Sequence, residues 1–442
     1  MTDVEIIGGG LAGCEAAWRA AGRGLNVRLW EMKPERFSPA HRLEGLGELV
    51  CSNSFRADRP ENAVGLLKEE MRALGSLVMA VAGRTRVPAG GALAVDRELF
   101  SREMTQAIES HPLIELRRAE VTAWPEGAAP VVVAGGPLAS EALAALLAAE
   151  LGAPHLHFYD ALAPIVSHDS LDFSRVYSAN RYQAGEGDYL NCPMEKPEFT
   201  AFLDALLEAD QVEPRAFEEQ RYFEGCLPIE VMARRGPCTL TFGPMKPVGL
   251  DDPRTGRRPY AVVQLRRENA AGSLWNLVGF QTRLTRPAQE KVFRLIPGLE
   301  KAEFARFGAI HRNTYLDAPK VLDEFQRLHS NPRFFAAGPI SGVEGYVESA
   351  AQGLWAGENA ARSAKGLPLL TPPPGTALGA LLSHLKSDGG RKYFAPSNIN
   401  FGLFTPPPPE VPKNQRAAWL LETARRDFEA FRQEHLTTES FV

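Results

Sequence analysis

Val4-Glu5-Ile6-Ile7-Gly8-Gly9-Gly10-Leu11-Ala12-Gly13-Cys14 runs from a short apolar strand through a glycine turn into a helix-forming stretch that reaches Ala21. That order is a dinucleotide cradle. Gly8 permits the tight turn, and Gly10 lets the backbone approach a pyrophosphate. Gly13 allows the helix to pack close to the strand, so that its first amides and its dipole face the phosphates. A second apolar strand, from Asn26 to Trp30, ends in Glu31, about 20 residues on, where a carboxylate accepts ribose hydroxyls. An acid at that position favours NAD or FAD over a 2'-phosphorylated nucleotide.

The 442 residues, 44% of them hydrophobic, exceed one ordinary domain and predict two or more. The chain starts at Met1-Thr2-Asp3 without a basic segment or an apolar leader, and no uncharged apolar run of about 18 residues follows. Secretion and membrane spanning are therefore not expected, and the cytoplasm is the expected location. Five cysteines, Cys14, Cys51, Cys192, Cys226 and Cys238, show no CxxC spacing, which argues against a disulfide framework or a structural zinc site. His155, His157 and His168 also lack ligand spacing, so no metal is expected. The net charge of −5 hides an asymmetry, because residues 234–294 carry twelve Lys and Arg against four Asp and Glu. That stretch is either a face for an anionic polymer or a solvated arginine-rich surface.

Further strands and helices follow from periodicity. Leu66, Leu67, Met71 and Leu74 mark a helix, with Ser52 and Asn53 expected as caps. Asp96 opens another helix through Phe100, Met104 and Ile108, and 114–121 reads as a strand. Val131-Val132-Val133-Ala134-Gly135-Gly136 is a buried strand ending in glycines, as in a parallel sheet that returns to a nucleotide. From about Tyr177 the texture turns to short strands, with 239–242 and 261–265 among them. Phe334-Phe335-Ala336-Ala337-Gly338-Pro339 then repeats the strand-to-glycine pattern, with Gly342, Gly345 and a helix over 347–362 beyond it. The expected fold class is α/β: a discontinuous Rossmann-like domain over 1–176 and 315–442, with an inserted α+β domain over 177–314. Prolines 372–374 and 406–409 read as stiff connectors, and Leu421, Ala424, Phe428 and Phe431 share one face of a docked terminal helix.

The segment from Phe334 to Gly345 resembles the closing motif of two-dinucleotide-binding flavoproteins of the glutathione-reductase kind, which selects FAD. Those proteins commonly carry an Asp where this chain has Pro339, which leaves backbone amides as the expected donors. The segments GGGLAGCEAAW from Gly8, ELVCSNSFRA from Glu48, VGLLKEEMR from Val64, VPAGGALAVDR from Val87 and YLNCPM from Tyr189 closely resemble the folate- and FAD-dependent tRNA (uracil-5-)-methyltransferase family. So do FEGCLPIEVMARRG from Phe223, TLTFGPMKPVGL from Thr239, VGFQTRL from Val278, HRNTYLDAP from His311 and NIN from Asn398. Residues 38–47 depart from that family's pattern. The related MnmG flavoproteins, which modify wobble uridines, share the FAD motifs but not the CSNS and EGCLPIE segments.

The resemblance implies reductive C5 methylation of the T-loop uridine of tRNA, with methylenetetrahydrofolate as carbon donor and NAD(P)H reducing the FAD. A methylene group is one hydride short of a methyl, which gives a methyltransferase a use for a flavin. Uracil C5 becomes nucleophilic once a thiolate adds at C6. By resemblance Cys226 is that nucleophile, and Cys51 serves near the flavin, as the base at C5 or as a transient holder of the one-carbon unit; which thiol takes which role stays open. Helix amides beside Cys51, and Arg234 and Arg235 beside Cys226, would favour thiolates. Cys14 reads as a small core residue, and Cys192 and Cys238 carry no mechanistic argument. The cofactor residues implied are Gly8, Gly9, Gly10, Leu11, Ala12, Gly13, Glu31, Val121, Gly338, Pro339, Gly342, Gly345 and Tyr346. The tRNA-facing residues expected are Arg234, Arg235, Arg254, Arg257 and Arg258, and His311 is a candidate to face folate or flavin. No stable protein partner is expected. The alternatives are an MnmG-like wobble-uridine enzyme and a tRNA-binding flavoprotein without methyl transfer.

Overall fold

The computed structural model describes residues 2–152, 156–183, 185, 187–212, 227–386, 394 and 396–436. A five-stranded, wholly parallel sheet forms the first core, in the order Phe334–Ala336, Val131–Val133, Val4–Ile7, Val27–Glu31, Ile114–Arg118. Three adjacent strands are covered on both faces: every residue of the apolar runs Val131–Val133 and Phe334–Ala336 is buried, as is every residue of Val4–Ile7, Glu5 included. A strand from late in the chain thus completes a sheet begun at residue 4. The helix Leu11–Gly22 packs along Tyr346–Ala364, and buried Glu358 joins them by accepting from Arg19 Nε at 2.7 Å and Arg23 Nη2 at 2.9 Å. The helix Arg416–His435 docks Leu420, Leu421, Ala424, Phe428 and Phe431 onto this core, with Phe431 5.9 Å from the Trp355 ring.

A six-stranded sheet forms a second core, in the order Tyr177–Ser178, Tyr189–Met194, Ala261–Arg267, Leu274–Leu277, Ile165–Ser167, Phe304–Arg306, with antiparallel pairing throughout. Phe199, Phe202 and Leu206 of the helix Lys196–Glu208 and Phe293 of the helix Arg286–Phe293 cover it. Its strand Ile165–Ser167 precedes the change of texture at Tyr177, since its place is set by pairing with Trp275 and Asn276 rather than by its own three residues. Leu156–Ala161 and Ile310–Tyr315 form a separate antiparallel pair, just before and just after the second body in the chain.

Two local expectations are corrected. Thr239–Phe242 is one helical turn instead of a strand, because the Cys238 carbonyl accepts from the Thr241 and Phe242 amides. Ser52 and Asn53 cap nothing: a strand, Ser54–Ala57, follows them, and the next helix, Ala63–Ala73, starts after Asn62. The Asn53 side chain instead donates to the carbonyls of Val95 and Arg267, both at 2.9 Å, and so fastens the first body to the second. No helix among the described residues is long and apolar enough to cross a membrane.

Candidate active site

Gly8 leaves its strand with φ +107° and donates its amide to the Trp30 carbonyl at 2.8 Å. A Cβ at Gly13 would lie 1.7 Å from the Gly8 carbonyl oxygen, so only a residue without a side chain lets the helix come this close to the turn. Gly10, the N-cap, has the opposite surroundings: no atom lies within 4 Å of where its Cβ would be, and no side chain caps the helix. The amides of the first turn are therefore left to a ligand. They open into a cavity of about 400 Å³ that Gly8, Gly9, Gly10, Leu11, Ala12, Glu31 and Val121 line at one end. Glu31 is buried and accepts from the amides of Gly9, at 2.8 Å, and Lys33, at 2.9 Å.

Residues 33–49, which include the stretch 38–47 that departs from the family pattern, close over this end. Buried Lys33 gathers the carbonyls of Leu43 and Gly45, at 3.0 and 2.7 Å, and the Glu48 carboxylate at 3.3 Å. Glu48 and His41 reach the cavity wall, and burial lowers the His41 pKa. Sequence reasoning missed both, and the lone Lys33 before the irregular stretch was the only available signal.

At the other end the wall is Pro339, Gly345, Tyr346 and Val347, where the helix Tyr346–Ala364 begins without a side-chain cap. Gly338 and Gly342 stand behind this wall. The Gly338 amide is already taken by Gln352 Oε1 at 2.8 Å, and Gly342 packs against Phe394. Cys51 also lines the cavity, half-buried. Its backbone amide donates to the Tyr346 hydroxyl at 2.6 Å, as does the Ser52 amide at 3.1 Å. Burial first, then the proximity of Cys51, raises the Tyr346 pKa, so its hydroxyl stays protonated. No helix starts beside Cys51, and the helix amides expected there are absent. Cys51 lies within electrostatic reach of the buried guanidinium of Arg97 and of the half-buried one of Arg306. Arg97 is held by Glu268 and by the Leu49 carbonyl.

An FAD fits this arrangement by the chemistry of its walls. The uncapped turn over Gly8–Ala12 suits the pyrophosphate, the Glu31 carboxylate suits ribose hydroxyls, and the second uncapped helix suits an electron-rich ring edge. The Glucose inhibited division protein A family (GIDA) matches residues 3–368. The methylenetetrahydrofolate–tRNA-(uracil-5-)-methyltransferase TrmFO of Geobacter sulfurreducens is 60% identical over 423 residues, 95% of this chain and 96% of that protein. The chain belongs to the TrmFO family. TrmFO of Moorella thermoacetica is 58% identical over 92% of this chain and 93% of its own length. The solved structure of Aquifex aeolicus GidA superposes with a TM-score of 0.68 at 17% identity, covering 96% of this chain and 73% of that one, which shows a common fold.

In this TrmFO-family chain Cys226 lies outside the described residues. Cys14 and Cys192 are buried, which raises both thiol pKa values, and Cys238 is exposed. No group of His, Cys, Asp or Glu suited to a metal occurs among the described residues. Arg234, Arg235, Arg254, Arg257 and Arg258 are all exposed, and Arg254 and Arg258 are among those engaged locally. Arg254 chelates Asp252, with Nη2 to Oδ2 at 2.7 Å, and Arg258 meets Asp251 at 3.2 Å. Other members of the basic stretch are structural. Buried Arg266 donates to Asn53 Oδ1 at 3.0 Å and Ser52 Oγ at 2.9 Å, and buried Arg283 donates to Gln211 at 2.8 Å. The charge available to a TrmFO-family substrate is therefore smaller than the sequence count.

Proposed function

We propose that this chain transfers the one-carbon unit of methylenetetrahydrofolate to C5 of the T-loop uridine of tRNA in the cytoplasm, with FAD as resident cofactor and NAD(P)H as its reductant. The relatives' names support the substrates and the reaction. The observation in this molecule that carries the reading is Cys51 on the wall of the same cavity that the glycine cradle and Glu31 line. When bound, the flavin supplies the hydride that turns a methylene into a methyl group.

The protein's own groups then divide the remaining work. The Tyr346 hydroxyl, accepting from two consecutive amides, fixes the backbone that carries the Cys51 thiol. The Arg97 and Arg306 guanidiniums stand near that thiol, and Arg266 locks Ser52 and Asn53 beside it. With Cys51 on the cofactor side, addition at uracil C6 is assigned to Cys226, and removal of the C5 proton to Cys51. The exposed arginines at 234, 235 and 257 meet tRNA phosphates, as does Arg258 once its solvent-exposed pair with Asp251 opens, whereas Arg254 stays on buried Asp252.

The test is incubation of unmodified tRNA with the flavin-loaded protein, methylenetetrahydrofolate and NADPH, followed by nucleoside and fragment analysis. 5-Methyluridine is expected from the T-arm fragment. Cys51→Ala is expected to keep its flavin absorbance and tRNA binding while producing none. Modification in the anticodon fragment, or a flavin-loaded protein that makes no 5-methyluridine, refutes the proposal.

A further inference from the structure

The cavity wall carries two carboxamides, those of Gln281 and Asn398. Among the described residues neither side chain makes a hydrogen bond, although a ligand in the cavity takes both out of water. A glutamine with a structural task is fully engaged in this protein. Buried Gln289 donates to the carbonyls of Leu284 and Gly308, at 2.8 and 2.9 Å, and accepts from the Gly308 amide at 2.8 Å. Gln281 is half-buried, and its donors and its acceptor are unspent.

The two carboxamides belong to different parts of the wall. Asn398 goes with the cofactor end: the Ser397 carbonyl before it accepts from the Glu344 amide at 2.9 Å, and the Ile399 amide after it donates to Glu348 of the helix Tyr346–Ala364 at 2.8 Å. Gln281 comes from the second body, spliced to the start of the helix Ile229–Arg234. Its backbone carbonyl accepts from the Ile229 amide at 2.7 Å. Buried Glu230 accepts from Thr282 Oγ1 at 2.9 Å and from the Arg283 amide at 2.8 Å. The Arg283 carbonyl in turn accepts from the Val212 amide at 2.8 Å. The chain on both sides of residues 213–226 is thus fastened to 281–283. Cys226 lies outside the described residues, but the chain that leads to it leaves from the wall that carries Gln281.

We propose that Gln281 holds the target uracil, pairing its carboxamide with N3–H and O4 of the ring. This rests on the uridine reading above and adds to it the group that reads the base. A carboxamide offers an acceptor and a donor side by side, and the imide edge of uracil offers their complements, so two parallel hydrogen bonds form. A thiolate that adds at C6 pushes the electron pair of the C5=C6 bond onto O4. A donor already aimed at O4 gains strength as that charge develops, so Gln281 contributes to rate as well as to affinity. Flavin carries the same imide edge and a pterin a related one. The attachment of Gln281 to the Cys226 side, with Asn398 at the cofactor end, assigns it to uracil.

The test compares two T-arm RNAs, with uridine or 3-methyluridine at the target position, by equilibrium binding to the flavin-loaded protein. The wild type is expected to prefer uridine by about five- to 150-fold, and Gln281→Ala to bind both alike within about twofold. In turnover, Gln281→Ala and the isosteric Gln281→Glu are expected to lower kcat/KM for the uridine RNA by about five- to 150-fold. The Ile229 bond uses only main-chain atoms and survives in both variants. FAD affinity and the KM for methylenetetrahydrofolate stay as in the wild type. Equal binding of the two RNAs by the wild type overturns the proposal, as does undiminished preference in Gln281→Ala or wild-type kcat/KM in both variants. A loss that appears instead as weaker FAD binding or a raised folate KM overturns it too, because Gln281 then reads flavin or pterin. A wild type that prefers the uridine RNA but makes no 5-methyluridine overturns the enzymatic reading alone, and the affinities still decide the role of Gln281.

Discussion

Gly13→Ala and Gly10→Ala separate packing from cofactor binding within one turn of helix. At Gly13 the added Cβ would sit 1.7 Å from the Gly8 carbonyl oxygen, whereas ordinary contact begins at 3.4 Å, so the helix Leu11–Gly22 must shift by about 1.7 Å. Backbone lies on both sides, so no side chain can yield. Overpacking of this kind costs about 3 kcal/mol, and the better helix propensity of alanine returns at most about 1 kcal/mol. The net loss of about 2 kcal/mol corresponds to roughly 30-fold in the folding equilibrium and a melting point lower by about 2 °C for a chain of this length. At Gly10 nothing lies within 4 Å and φ is −77°, so the apoprotein tolerates alanine within about 1 kcal/mol. There the methyl group projects into the phosphate end of the cavity, and FAD affinity is expected to fall at least about tenfold, or about 1.4 kcal/mol. The assay is thermal unfolding of both apoproteins, followed by titration with FAD monitored by flavin fluorescence. An unshifted Gly13→Ala melt, or a Gly10→Ala variant that binds FAD as the wild type does, refutes the reasoning.

Glu358→Ala leaves Arg19 and Arg23 buried without their shared carboxylate, and urea unfolding is expected to show a loss of about 3–5 kcal/mol; a loss below about 1 kcal/mol would refute it. Glu70, buried against the start of the helix Ala377–His384, has its pKa pushed from the ordinary 4.5 up to about 8 by burial, against the opposing hydrogen bonds from Leu378 and Ala377. Between those values the folded state holds a proton that the unfolded chain releases, so its contribution is complete below 4.5 and is lost as pH rises toward 8, at up to about 1.4 kcal/mol per pH unit. Denaturation across this range is expected to be flatter for Glu70→Gln, and parallel profiles would refute the assignment. Charge reversal of Arg257 and Arg258 is expected to weaken tRNA binding and to reduce its salt slope by about one unit per lost phosphate contact; an unchanged slope removes both from the interface.

The parallel sheet, the glycine cradle and the docked terminal helix were legible in the sequence because each follows from local rules. A glycine spacing encodes a turn and a close helix, and an uninterrupted apolar run such as Val131–Val133 encodes a strand covered on both faces. The same rules failed where a segment is too short to carry a period. Thr239–Phe242 reads as well for a strand as for a turn of helix, and Ser52 and Asn53 read as caps until their partners are known.

By itself, then, the sequence determined that a strand, a turn and a helix hold a dinucleotide at Gly8 to Gly13, and that an acid at Glu31 stands beside them. Only the tertiary structure decided what surrounds Cys51. Arg97 and Tyr346 reach Cys51 from separate parts of the chain within the first body, and Arg306 joins them from the second, which docks on the first through Asn53 and Arg266. Tertiary structure likewise withdrew Arg266 and Arg283 from the basic stretch by burying them. The physical reason is common to both: turn geometry and hydrophobic period are properties of neighbouring residues, whereas electrostatic environment and burial belong to whatever folding brings within a few ångströms.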